Sequence, residues 1–184
     1  MSAIAADVVG FWRAAGPDKW FAKSPAFDDA IRLRFEPVHH AAARGEHAGW
    51  AQTAEGALAL LLLLDQFPRN LWRGSAHAFA TDPLARTIAS GAIDRGFDRR
   101  VEAPLRQFFY LPFSHSEALA DQDRALALYE AYDADTGDFD SLKYAVIHRD
   151  IIIRFGRFPH RNPAFGRATT PEEQTFLDRG GFAG

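Results

Sequence analysis

Two short phrases hold the residues best suited to chemistry: Phe67-Pro68-Arg69-Asn70 and Phe158-Pro159-His160-Arg161-Asn162. Each follows an apolar run, Leu58–Leu64 or Ile151–Ile153, and each is followed by a further arginine. Such a phrase delivers cationic and amide groups to a fixed point beside a core, where polar groups are costly unless partnered. Asp65 stands just before the first copy. An acid near a helix C-terminus faces the unfavourable end of the dipole, so a cation must be close. Arg69, Arg73, Arg154, Arg157 and Arg161 are the available partners. Two readings of Asp65 stay open: a structural ion pair and a site acid.

Between His148 and Arg167 there are five arginines and a single acid, Asp150, which is spaced to pair with Arg154 on one helix face. Clustered guanidiniums suit carboxylate or phosphate recognition, because their donors form a planar fork. Capping helix ends and pairing with core acids such as Asp65 and Glu117 is the structural alternative. A third group lies in Leu111–Glu117, where His115 and Glu117 are candidates for an acid–base pair. His148 sits on an apolar stripe and is expected to be partly buried. Asp65, His115, Glu117 and His148 lack helical metal-site spacing, so neither a metal nor another cofactor is expected. Phosphate loops, nucleophile elbows and dinucleotide fingerprints are absent from the sequence. The tryptophans read as core anchors and loop pins, and His39, His40 and His47 as surface residues.

The elements that must position these groups read as helices. Ser24-Pro25 opens one through Phe27, Ile31 and Phe35, which Pro37 should kink or end. Thr53 caps a helix from Ala54 to about Gln66. Asp82-Pro83 opens another through Leu84, Ile88 and Ala92, with a stop at Gly96. A short helix over Ala103–Tyr110 ends before Pro112. The stretch Glu117–Ala134 is amphipathic, with Leu119, Leu126, Leu128, Tyr129 and Tyr132 apolar. Asp140 caps a helix with Tyr144, Ile147, His148, Ile151 and Phe155 on one stripe, stopped by Gly156. Thr170-Pro171-Glu172-Glu173 is a capping box, and Gly180-Gly181 ends the last helix. About eight helices and no strand follow, within a single domain over 1–184.

The 47% apolar and 13% aromatic content across 184 residues is that of a folded globule. A net charge of −3 argues against a general nucleic-acid binder. The chain has no cysteine, which excludes disulfides and thiolate chemistry. The amino terminus has an acid where a secretion signal carries positive charge, and the longest apolar run is too short to span a bilayer. A cytoplasmic protein with neither nucleic-acid nor membrane partners is expected; its oligomeric state is not legible.

Several longer stretches carry a family resemblance: WF at Trp20-Phe21, LLLLDQFPRNLWRG at Leu61–Gly74, AFATD at Ala78–Asp82 and FFYLPFSHSE at Phe108–Glu117. To these are added IHRDIIIRFGRFPHRN at Ile147–Asn162 and FGRATTPEE at Phe165–Glu173. On these the chain resembles the uncharacterised family DUF924 over almost its whole length. The resemblance implies an all-α fold of antiparallel helix pairs, like a tetratricopeptide superhelix, and transfers no activity. Its characteristic polar positions fall on Asp65, Gln66, Arg69, Asn70, Arg73, His115, Glu117, Gln122, His148, Arg154, Arg157, His160, Arg161 and Asn162. The leading expectation is a pocket for an anionic small molecule or acidic peptide end. Arg157 and Arg161 clamp the anion, Asn70 and Asn162 orient it, and Arg69, His148, Arg154 and His160 line it. Asp65, Gln66 and Arg73 support that pocket. A hydrolase or lyase using His115 and Glu117, and a protein–protein scaffold, are the alternatives.

Overall fold

A computed structural model describes residues 2–183. Among these the chain is helical and contains no strand, and its contacts gather into two compact units. The first comprises residues 1–73 and 77–112, and the second residues 74–76 and 113–184.

The first unit is built from α1 (Ala3–Ala15), α2 (Pro17–Trp20), α3 (Pro25–Ala43), α4 (Ala54–Leu61), α5 (Phe67–Leu71) and α6 (Asp82–Ile93), and it holds most of α7 (Ala103–Ser114). Ser24 accepts from the Phe27 amide and Thr53 from the Gly56 amide, so both expected N-caps are present. Helix α4 is the centre. Every residue of 57–64 is at most 1% exposed, as the unbroken apolar run requires. It packs on α1 and α6. Rings of Trp12, Trp20, Phe27, Phe35, Phe67 and Phe108 complete the core at centroid separations of 5.1–6.1 Å.

Proline ends fewer helices than its chemistry suggests. Pro37 lies inside α3, which continues to Ala43. Leu33, whose carbonyl loses its donor, is exposed, so water can take that carbonyl. Pro112 lies inside α7, which runs on to Ser114; burial of Phe109 and Phe113 outweighs the lost hydrogen bond. The helix expected to stop near Gln66 also continues. It widens into a π turn over Leu62–Gln66 and re-enters α-geometry as α5, with the Phe67 amide donating to Leu62 O.

The second unit contains α8 (Leu119–Thr136), α9 (Phe139–Phe155) and α10 (Pro171–Asp178). Helices α8 and α9 form an αα-hairpin through Gly137, at φ +75°, and Asp138. Asp138, rather than Asp140, is the cap of α9, accepting from both the amide and the hydroxyl of Ser141. Tyr144 and Leu119, placed on apolar stripes by spacing, are 54% and 44% exposed; the α9 core face is Ala145, His148, Ile151 and Ile152. Ile151, Ile152 and Phe158 form the unit's core with Ile147, Phe155, Phe176 and Phe182 around them. Gly156 stops α9 in the left-handed region, and the Thr170–Glu173 capping box opens α10, both as expected.

Candidate functional site

At the first phrase, side chains meet three successive carbonyls of the π turn. His39 Nδ1 lies 2.7 Å from Leu63 O, Thr81 Oγ1 donates to Leu64 O, and Arg69 Nη1 donates to Asp65 O. His39 is therefore not a surface residue: it is 2% exposed, on the stripe Ile31–Phe35–His39, and burial holds its pKa below the ordinary imidazole value. The four-residue spacing carried that signal, which the neighbouring Pro37 masked. Arg69 also forks onto Asp82 at 2.9 and 3.1 Å and lies 3.4 Å from Asp65. Burial alone disfavours its charge, yet the two carboxylates more than offset this and raise its pKa.

Asn70 and Arg73 share one acid that spacing did not reveal. Asn70 Nδ2 donates to Asp28 at 2.8 Å, and Arg73 grips the same carboxylate at 2.7 and 2.9 Å. Burial would raise the Asp28 carboxyl, but these bonds outweigh it and hold it below its usual value. Gln66 Nε2 donates to Trp20 O.

At the second phrase the same construction recurs. Arg157 grips Glu173 at 2.6 and 2.9 Å, and Asn162 Nδ2 donates to that carboxylate at 3.1 Å. With the Thr170 amide added, these contacts push the Glu173 carboxyl down to about 2, the Arg157 bond contributing most. The oxygen of each asparagine, Asn70 Oδ1 and Asn162 Oδ1, is buried and has no hydrogen-bond partner among the described residues. Arg154 pairs with Glu172 on α10 at 2.9 Å, in place of the expected Asp150, and Arg149 pairs with Asp123.

Glu117 is clasped as well. Arg167 donates to it at 2.7 and 3.0 Å and the Phe158 amide at 2.9 Å. Burial would raise this carboxyl; the hydrogen bonds and the arginine charge prevail and hold it below its usual range. Arg161 donates to His115 O at 2.8 Å and stacks over Phe158 at 4.4 Å. His148, buried as expected, has Nδ1 2.6 Å from Tyr144 O and its ring against Phe158 and Phe182.

His160 packs against the same two phenylalanines, at 5.6 and 5.4 Å. Its Nδ1 is fully enclosed and has no hydrogen-bond partner among the described residues. Burial, reinforced by Arg161 and His148, pushes its pKa down to about 3. The neutral ring then keeps its proton on Nε2, since an enclosed N–H without an acceptor is the costlier tautomer. Among the described residues, no group of three or more histidines and acids is arranged to hold a metal. No helix among the described residues is long and apolar enough to cross a membrane.

The second unit thus brings His115, Glu117, His148, His160, Arg161 and Asn162 into one neighbourhood. Asp65, Gln66, Arg69, Asn70 and Arg73 belong to the first unit, with acids of their own.

Residues 8–181 match the family described as bacterial protein of unknown function (DUF924), and the chain belongs to that family. A solved structure of a protein of unknown function from Agrobacterium tumefaciens is 56% identical, with a TM-score of 0.90, over 96% of this chain and 98% of that one. No curated protein matches the chain.

Proposed function

We propose that this is a cytoplasmic helical protein whose second unit binds a small anion, a carboxylate or phosphate group, beside Arg161, His160 and His148. The observation that carries the reading is His160: a half-buried, neutral imidazole next to a guanidinium, with Nδ1 enclosed and unpartnered among the described residues. Its Nε2–H and the Arg161 guanidinium supply one neutral and one charged donor, the combination a bound oxyanion uses. Arg157 is held by Glu173 and Asn162 gives its amide N–H to the same acid, so neither has the clamping or orienting role that spacing suggested. The tetratricopeptide-like pairing of helices belongs to this proposal, supported by the α8–α9 hairpin.

An anion against neutral His160 favours the imidazolium and raises its pKa from about 3, so affinity is expected to increase as pH falls toward that value. Calorimetry with inorganic phosphate and with short carboxylates, from about pH 7 to 4, reads this directly. His160→Phe keeps the ring contacts and should abolish binding with little change in melting temperature. Failure of every such anion to bind the wild-type chain sinks the reading.

The hydrolase or lyase alternative has less support. Glu117 accepts three hydrogen bonds and is held acidic, which makes it a poor proton acceptor at neutral pH.

A further inference from the structure

Helix α9 has two faces. Ala145, His148, Ile151 and Ile152 are buried, and opposite them Phe139, Val146 and Ile153 are 72%, 41% and 53% exposed. These three lie seven residues apart, two helical turns each, so they form one straight seam. Roughly 21 Å of helix separates the first from the last, at about 1.5 Å per residue. Lys143 and Asp150 flank the seam, both exposed, one in each interval between its apolar residues. Exposed apolar residues scattered singly need no partner, but three in register with opposite charges beside them are the pattern of a helix-pairing surface.

The charges select the geometry. In an in-register parallel pairing the edge carrying Lys143 and Asp150 faces the other edge of the second copy's seam, so the two charges gain no partner in each other. An antiparallel pairing centred on Val146 sets Phe139 against Ile153 of the other copy, and Lys143 within one residue of opposing Asp150. It does so twice, as twofold symmetry demands of an isologous contact.

We propose that this face of α9 binds a second copy of the chain, with the two α9 helices antiparallel about Val146. The partner is self because the seam is complementary to itself in charge and in apolar spacing. One helix pair of this length buries less than the roughly 800 Å² per partner of a standard interface, so the dimer is weak and forms at high protein concentration. Its exposed charge pairs make it weaken as salt rises.

Sedimentation of the full chain over a wide concentration range tests this. The expected result is a reversible monomer–dimer equilibrium that Val146→Glu abolishes. Lys143→Glu and Asp150→Lys should each weaken dimerisation several-fold, and the double variant K143E/D150K should recover it. All three positions are exposed, so unchanged helical circular dichroism and melting temperature serve as the folding control. A chain that is monomeric at every concentration overturns the proposal. So does a dimer indifferent to Val146→Glu, a double variant that fails to recover, or a monomer that uses Val146 to bind lipid vesicles.

Discussion

The two Phe-Pro-Arg-Asn phrases are built alike at their asparagines and differently in what surrounds them. In each, the asparagine N–H bonds a carboxylate already gripped by both arms of an arginine, Arg73 on Asp28 and Arg157 on Glu173. In each, the arginine just before the asparagine donates to a backbone carbonyl, Asp65 O or His115 O. The first phrase continues a helix. The second follows a true stop, since Gly156 takes the left-handed conformation open to a residue without Cβ. At the first phrase, helix continuation through Pro68 is accompanied by side chains that meet the nearby carbonyls. The first phrase is closed by its own partners, whereas the second leaves His160 Nδ1 enclosed with no partner among the described residues.

The most severe break of this comparison is Arg69→Met, which takes from the buried Asp65 and Asp82 the guanidinium they share. Urea unfolding should show a loss of about 3–5 kcal/mol, whereas Arg161→Met, which takes a donor from the neutral carbonyl of His115, should cost clearly less. Equal losses would erase the distinction between the phrases.

The acids give the next contrast. Glu173 is held at about 2, below its ordinary 4.5, so its contribution is fully present above 4.5 and fades as pH falls toward 2. Glu173→Gln should flatten the acid limb of a urea-midpoint profile in that window. Asp28→Asn should flatten it less, its carboxyl being lowered in the same direction but not as far.

Thr81→Val sharpens the comparison at the π turn. Removing the hydroxyl takes a hydrogen bond from buried Leu64 O, at about 1–3 kcal/mol, and amide exchange should speed selectively over residues 62–71. The second phrase has no equivalent. The smallest effect belongs to Arg154→Ala: its side chain and that of Glu172 are 52% and 64% exposed, and such pairs contribute about 0–1 kcal/mol. A larger loss would make Arg154 part of the core lock.

Much of this was legible in the residues. The all-α class, the Ser24, Thr53 and Thr170 caps, the Gly156 stop and the central burial of Leu58–Leu64 follow from local chemistry that acts within one or two turns. The need of Asp65 for a cation was read from a helix end that the structure does not have; its burial, with Arg69 at 3.4 Å, supplies the reason instead. What spacing could not supply was which cation each acid meets. Arg157 reaches Glu173 and Arg167 reaches Glu117 across 16 and 50 positions, distances that only folding closes. The same holds for His39, which is buried because Leu63 O needs a partner on the opposing helix.

The sequence by itself determined the helices, their caps and the presence of two arginine-rich phrases, because propensity, capping and periodicity are local. Only the tertiary structure decided that most of those arginines are bound by acids, that two prolines lie inside helices, and that His160 Nδ1 is enclosed with no partner among the described residues. Those outcomes depend on which carbonyls and carboxylates the packed core leaves unsatisfied, and that is a property of the assembled units.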